Sequence, residues 1–135
     1  MSKALNYLGI ARKAGSIELG EENVKALIKA GKARLVLLAS DASEGVTQRV
    51  NGYVYGFHAP VVRLPYDAGE LGGALGRARC SAAAIPDLGL AVSLAAALAE
   101  EYDDSYAEVA QTLAARQARI AARKTAKPGK RRKSE

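Results

Sequence analysis

Apolar residues recur along this chain with two different periods. Leu5, Leu8 and Ala11 share one helical face, which predicts a helix over residues 2–14, capped by Ser2 and stopped by Gly15. Ile17 and Leu19 alternate with polar neighbours, as in a short strand over 16–19. Val24, Leu27 and Ile28 return to helical spacing and predict a second helix over 21–30, closed by Gly31. The continuous apolar run at 35–39 reads as a strand covered on both faces. Val46, Val50, Tyr53, Val54 and Phe57 predict a third helix over 43–57, and Pro60 opens a strand over 60–64, where no ladder donor is lost. A short Gly-rich helix at 67–75, a strand at 81–85 stopped by Pro86, and an Ala- and Leu-rich helix at 88–101 complete the series.

Strands alternating with helices imply an α/β fold of three layers, an α/β/α sandwich over residues 1–101, on a mainly parallel sheet. Beyond it, Tyr102, Tyr106, Val109, Leu113 and Ile120 form a stripe that predicts an additional C-terminal amphipathic helix within 102–124. Its apolar face either docks on the body or pairs with a second copy of the chain. From residue 125 onward nothing is available to bury, so 125–135 reads as a disordered basic tail. The chain has no internal repeats.

The charge changes this picture by its placement. The net charge is +6, yet from Arg116 onward nine basic residues face a single acid, Glu135. The rest of the chain is slightly acidic, with Glu100, Glu101, Asp103, Asp104 and Glu108 just ahead of the basic region. A basic end on a near-neutral body points to a polyanionic partner. One cysteine, Cys80, excludes an internal disulfide framework and a multi-cysteine metal site, and one histidine, His58, argues against a metal cluster or a catalytic triad. The most apolar stretch, 88–99, is far shorter than the ~20 residues of a membrane span. No apolar run follows a basic N-terminal region, so no signal peptide, no membrane and a cytoplasmic location are expected.

The stretch from Gly15 to about Leu94 carries a family resemblance. It reads GSIELGEENVKALIKAGKARLVLLASDAS at 15–43, APV at 59–61, ELGGALGR at 70–77, and an Ala-rich strand ending in Ile85-Pro86-Asp87-Leu88-Gly89. This resembles the ribosomal L7Ae/L30e superfamily, whose members bind kink-turn RNA. The opening Leu8 to Gly15, L-G-x-A-x-x-A-G, is similar to the bacterial YlxQ-like branch. The resemblance implies a four-stranded mixed sheet between helices and one RNA-binding edge. That edge combines the start of the second helix, the loop after the 35–39 strand, and the loop after Gly76. Many kink-turn binders carry G-x-N-E-x-x-K from this glycine; here Glu22 stands at the Asn position, Asn23 at the Glu position and Ala26 at the Lys position. Ser16 stands where a Lys often follows the earlier glycine.

The residues of that edge have chemistry suited to RNA. A helix start presents unpaired N–H groups and partial positive charge, and Gly20 lets a backbone come close. Glu21 and Glu22 serve either the helix dipole or a base edge, and Asn23 can both donate and accept. Lys25, Lys29 and Lys32 are candidate phosphate ligands. Asp41 lies in a cap turn that borders the RNA in the family. Arg77 and Arg79 can clamp a phosphate or stack on a base, while Cys80 and Ser81 follow them into the strand. Cys80 reads either as a small core residue or as the surface against an extruded base. Gly69, Gly72, Gly73 and Gly76 fit no phosphate loop and read as close helix packing plus a cap. His58 reads as a helix-end cap.

In the tail, Lys124, Lys127, Lys130, Arg131, Arg132 and Lys133 would neutralise phosphates without reading sequence. These features describe a non-catalytic RNA-binding protein, associated with ribosomal or other structured RNA, with no cofactor and no metal site. The alternative is a protein-interaction module on the same fold, self-associating through the helix after Glu101, in which only the tail touches RNA.

Overall fold

A computed structural model describes the backbone of residues 2–102 and 104–130, with side chains through Arg123 except that of residue 104. In chain order its elements are α1 (Lys3–Ala14), β1 (Glu18–Leu19), α2 (Glu21–Lys29), β2 (Leu35–Leu38), α3 (Glu44–Val54), β3 (Val61–Arg63), α4 (Ala68–Leu75), β4 (Ala82–Ile85), α5 (Leu88–Glu101), a 3-10 turn (Asp104–Tyr106) and α6 (Ala107–Lys130). The boundaries follow local chemistry. Ser2, Ser43, Asp67 and Asp87 each accept a first-turn N–H at the start of a helix, and Asp67 with Glu70 closes a capping box. Gly15 and Gly76 end α1 and α4 in the left-handed conformation.

The four strands lie in the order β1-β4-β2-β3. The β1–β4 and β4–β2 pairs are antiparallel and the β2–β3 pair is parallel, with Val36 opposite both Ala84 and Val61. The mixed sheet agrees with the resemblance, but the mainly parallel sheet expected from alternation does not hold. Alternation of strand and helix sets the layers, not the strand direction, because a connection can enter the next strand from either end. Side chains divide by the period of two. Leu35, Leu37, Ala83 and Ile85 enter a core with α1, α4 and α5, while Val36, Leu38, Ala82 and Ala84 enter a second core beneath α2 and α3. This is the three-layer α/β/α sandwich.

Helix α3 ends at Val54, three residues before the predicted limit. Tyr55 leaves helical geometry and Gly56 takes φ +84°, so Phe57 is partly exposed and Tyr55 lies in solvent. His58 is therefore four residues past the helix and caps nothing, contrary to the sequence reading. Beyond α5, Tyr106 and Leu113 are buried in the first core, against α5. The Tyr106 hydroxyl donates to the carbonyl of Arg63 at 2.7 Å, and Arg116 Nη1 donates to that of His58 at 2.6 Å. The C-terminal helix thus docks on its own body. Its backbone continues to Lys130, past the residue 125 at which loss of structure was expected. Residues 131–135 lie outside the described part.

The acidic segment has structural partners. Glu101 accepts from the N–H groups of Lys3 and Ala4, covering the start of α1, and Glu100 pairs with Lys3 Nζ at 2.9 Å. Tyr102 donates to Tyr66, which also meets Ser2 Oγ at 3.0 Å. Burial raises the Tyr66 hydroxyl well above the usual tyrosine range.

Candidate functional site

The antiparallel β1–β4 pairing brings the start of α2 beside the entry to β4. The Gly20 N–H donates to the Ala82 carbonyl at 2.9 Å, and Gly20 holds φ +93° and ψ +151°, a region open essentially to glycine. A Cβ there would touch nothing, so the glycine is required by its backbone angles, not by space. No side chain caps α2. Its first N–H groups are therefore left for an external acceptor or water.

Two adjoining depressions form around this point. The larger, of about 590 Å³, is lined by Leu19 to Asn23, by Arg49 and Tyr53 from α3, and by Arg77. The smaller, of about 270 Å³, runs from Gly20 and Glu21 across Arg77, Arg79, Cys80 and Ser81, with Val46 adding apolar surface and buried Ala82 behind it. Most of the sequence-derived candidates thus share one groove.

Within it the candidates differ. The Glu21 carboxylate receives Arg49 Nε at 2.5 Å, Arg49 Nη2 at 3.0 Å and the Tyr53 hydroxyl at 2.8 Å. The Arg49 guanidinium, then Tyr53, holds the Glu21 carboxyl below its usual range, and the same contact raises the Tyr53 hydroxyl. Glu21 is thereby occupied as a brace between α2 and α3. Glu22 is exposed and makes no hydrogen bond or ion pair among the described residues. Asn23 Nδ2 donates to the Leu19 carbonyl at 2.9 Å, which fixes the amide and leaves its oxygen free to accept. Lys25 lies 5.5 Å from the centre of the Tyr53 ring and Lys29 the same distance from that of Phe57. Both are cation–π contacts that hold the ammonium groups along the α2–α3 seam. Lys32 is exposed at the opposite end of α2, roughly 12 Å along the helix, and does not join the groove.

The two loops are pinned from below. Asp41 accepts from the Ala68 N–H at 2.8 Å and faces Arg79 Nη2 at 3.5 Å. Arg63 donates to the carbonyls of Ala39 and Ser40 at 3.1 and 3.2 Å and to Thr47 Oγ1 at 2.8 Å, fastening the loop after β2. Gly72 has a definite packing role: a Cβ there would come within 2.8 Å of the Arg77 carbonyl and 2.9 Å of the Arg79 backbone. Gly73 has no such neighbour. Cys80 is buried, its thiol facing the Ala82 carbonyl at 3.2 Å and pushed up by desolvation. The side chains of Lys124, Lys127 and Lys130, and Arg131, Arg132 and Lys133 altogether, lie outside what is described.

Arg49, Tyr53 and Arg63 escaped the sequence reading. Arg49 and Tyr53 stand at i, i+4 on α3, the one available signal. Their common partner, Glu21, is 28 and 32 residues away, and no local pattern announces that. Among the described residues no group of three or more His, Cys, Asp or Glu is placed to hold a metal ion, and no helix is long and apolar enough to cross a membrane.

Comparison with known proteins adds to this geometry. The family described as ribosomal protein L7Ae/L30e/S12e/Gadd45 matches residues 2–95. The RNA-binding protein YlxQ of Enterococcus faecium is 34% identical over 77 residues, which span 57% of this chain and 74% of that one. A solved protein of unknown function from Bacillus halodurans C superposes with a TM-score of 0.68 at 28% identity, over 73% of this chain and 98% of its own. The 15.5kD RNA binding protein of Giardia lamblia shares the fold, with a TM-score of 0.57 at 20% identity over 71% of this chain and 82% of that one.

Proposed function

Because this chain belongs to the ribosomal protein L7Ae/L30e/S12e/Gadd45 family, we propose that it is a non-catalytic RNA-binding protein that holds a folded, kink-turn-like RNA in the groove between α2 and the 77–81 loop. One observation carries the reading: an uncapped helix start, with its free N–H donors, shares a groove with Arg77 and Arg79. Folded RNA is read through irregular elements whose base edges are accessible, since the regular major groove is too narrow for side chains. The Asn23 oxygen and the Glu22 carboxylate are acceptors for an amino group on such an edge. Arg77 and Arg79 take phosphates, and Lys25 and Lys29 extend the positive track. Half-buried Val46 offers apolar surface to an extruded base, with Cys80 and Ala82 buried behind it. Glu21 serves as a brace and not as a contact. The basic residues from Lys124 to Lys133 add affinity without selectivity, and the setting is a cytoplasmic, ribosome-associated ribonucleoprotein.

The test is a salt-titrated binding assay with a kink-turn RNA and a duplex of equal length. The full chain, a chain ending at Arg123, and the variants Asn23→Ala and Arg77→Ala are compared. A kink-turn preference that survives loss of the tail and falls about tenfold or more in either variant is expected, since a single specific contact contributes roughly 1–3 kcal/mol. Equal affinity for both RNAs, lost with the tail, would reject the groove.

A further inference from the structure

A second positive surface lies at the other end of the sheet. Arg34 precedes β2, His58 precedes β3, and Leu88 follows β4, so all three sit at the end opposite the groove. Docking of α6 brings Arg116, Arg119, Ile120 and Arg123 to the same place, and together these residues line a depression of about 400 Å³. The extended step from Arg34 to Ser40 separates the two ends by roughly 20 Å.

The two surfaces differ in charge balance. In and around the groove, Arg49 is paired with Glu21, Arg79 faces Asp41, and Glu22 adds a further negative charge. At the opposite end no acid among the described residues lines the depression. Arg34, Arg119 and Arg123 make no side-chain hydrogen bond or ion pair among the described residues. Arg116 is the exception, held by the His58 carbonyl, and that neutral partner orients the guanidinium without cancelling its charge. Asp87, next to Leu88, accepts from the Leu90 N–H as the cap of α5. Arg116, Arg119 and Arg123 stand at i, i+3 and i+7 on one face of a docked helix, so their spacing is set by a rigid element. The same spacing continues in the sequence at Lys127 and Lys130.

We propose that Arg34, Arg116, Arg119 and Arg123 form a second RNA-binding surface, which takes the phosphate backbone of a helical segment while the groove holds a folded element. One molecule would then grip two segments of the same RNA at opposite ends of its sheet. Guanidiniums with no acidic partner among the described residues suit phosphates through their fork of donors. The ligand is RNA and not an anionic lipid surface, because the family matched is one of ribosomal proteins and a 34% identical relative is an RNA-binding protein. The inference rests on the RNA-binding reading of the groove.

The experiment uses the full chain and the triple variant Arg34→Gln, Arg119→Gln, Arg123→Gln, leaving Arg116 to hold α6. Unchanged circular dichroism and thermal midpoint establish that the variant is folded. Each protein is titrated with a labelled RNA duplex of about 20 base pairs, alone and with the groove saturated by an unlabelled minimal kink-turn RNA whose arms are too short to span the roughly 20 Å to the opposite end. The full chain should bind the duplex in both conditions. In the variant the slope of log K against log salt should fall by about 2–3 and duplex affinity by about tenfold or more, with kink-turn preference retained. Unchanged duplex affinity, or complete displacement of the duplex by one equivalent of kink-turn RNA, would overturn the second surface and leave the groove standing. Failure of the unaltered chain to bind either RNA would overturn both. Binding to phosphatidylserine vesicles that is lost in the variant, with RNA binding unchanged, would reassign the patch to lipid.

Discussion

Glu21 illustrates how one contact redirects a residue. At the first position of α2 its carboxylate favours the helix dipole, but the Arg49 guanidinium and the Tyr53 hydroxyl take up its acceptor sites. Its pKa in the folded state lies below the ordinary value of 4.5. The folded protein therefore binds fewer protons there than the unfolded chain as pH falls. The stabilisation is complete above about pH 4.5 and is lost as the pH drops through the lowered folded value. Thermal melts of Glu21→Gln and the unaltered chain should differ most near neutrality and converge in acid; a gap constant with pH would mean the ion pair contributes nothing. Gly72 carries a steric constraint instead. Gly72→Ala must displace the backbone of Arg77 and Arg79, 2.8 and 2.9 Å from the new Cβ. It should cost about 1–3 kcal/mol in urea denaturation, as overpacking does.

Among the elements, α6 depends most on its neighbours. Of its predicted stripe, Leu113 is fully buried and Tyr106 nearly so, in the core shared with α5 and α4. Leu113→Ala removes buried methyl groups between two packed helices and should destabilise the whole domain by about 2–5 kcal/mol. A smaller loss, with one cooperative transition retained, would mean that α6 docks too weakly to hold Arg116, Arg119 and Arg123 in place. Helix α2 shows the opposite dependence. Its apolar residues Val24 and Ile28 anchor one side, and its other side meets α3 through Lys25 and Glu21 and, through Lys29, Phe57 just beyond α3. The groove is therefore a property of the α2–α3 pair more than of either helix.

For the molecule as a whole, docking of α6 bears on association. Of the stripe that could have joined two copies, Tyr106 and Leu113 are covered by the same chain, Val109 and Ile120 are half-buried, and Tyr102 is exposed. Sedimentation equilibrium should accordingly report a monomer at micromolar concentration, and a dimer would require another surface. The charge distribution also acts at this scale. A near-neutral groove and an arginine patch with no acid lining it among the described residues lie at opposite ends of the sheet, so the two RNA contacts proposed above would be separated in space.

Much of this was legible in the sequence for local reasons. The cap at Ser2, the cap turn around Asp41, stops at Gly15 and Gly76, and the two hydrophobic periods depend on neighbours a few residues apart. The elements and layers follow from them. The family resemblance added the mixed sheet and the groove candidates, and the start of α2 and the 77–81 loop do meet. Direction of strand pairing was not legible, because a buried apolar run looks the same in either direction. Nor was the engagement of Glu21 by Arg49 and Tyr53, the pinning of the Ser40 loop by Arg63, or the meeting of Arg34 with Arg116, Arg119 and Arg123. Those partners are tens of residues apart in sequence. Hydrophobic period determines which face of an element is buried, whereas the charges that meet across two elements depend on how those faces pack.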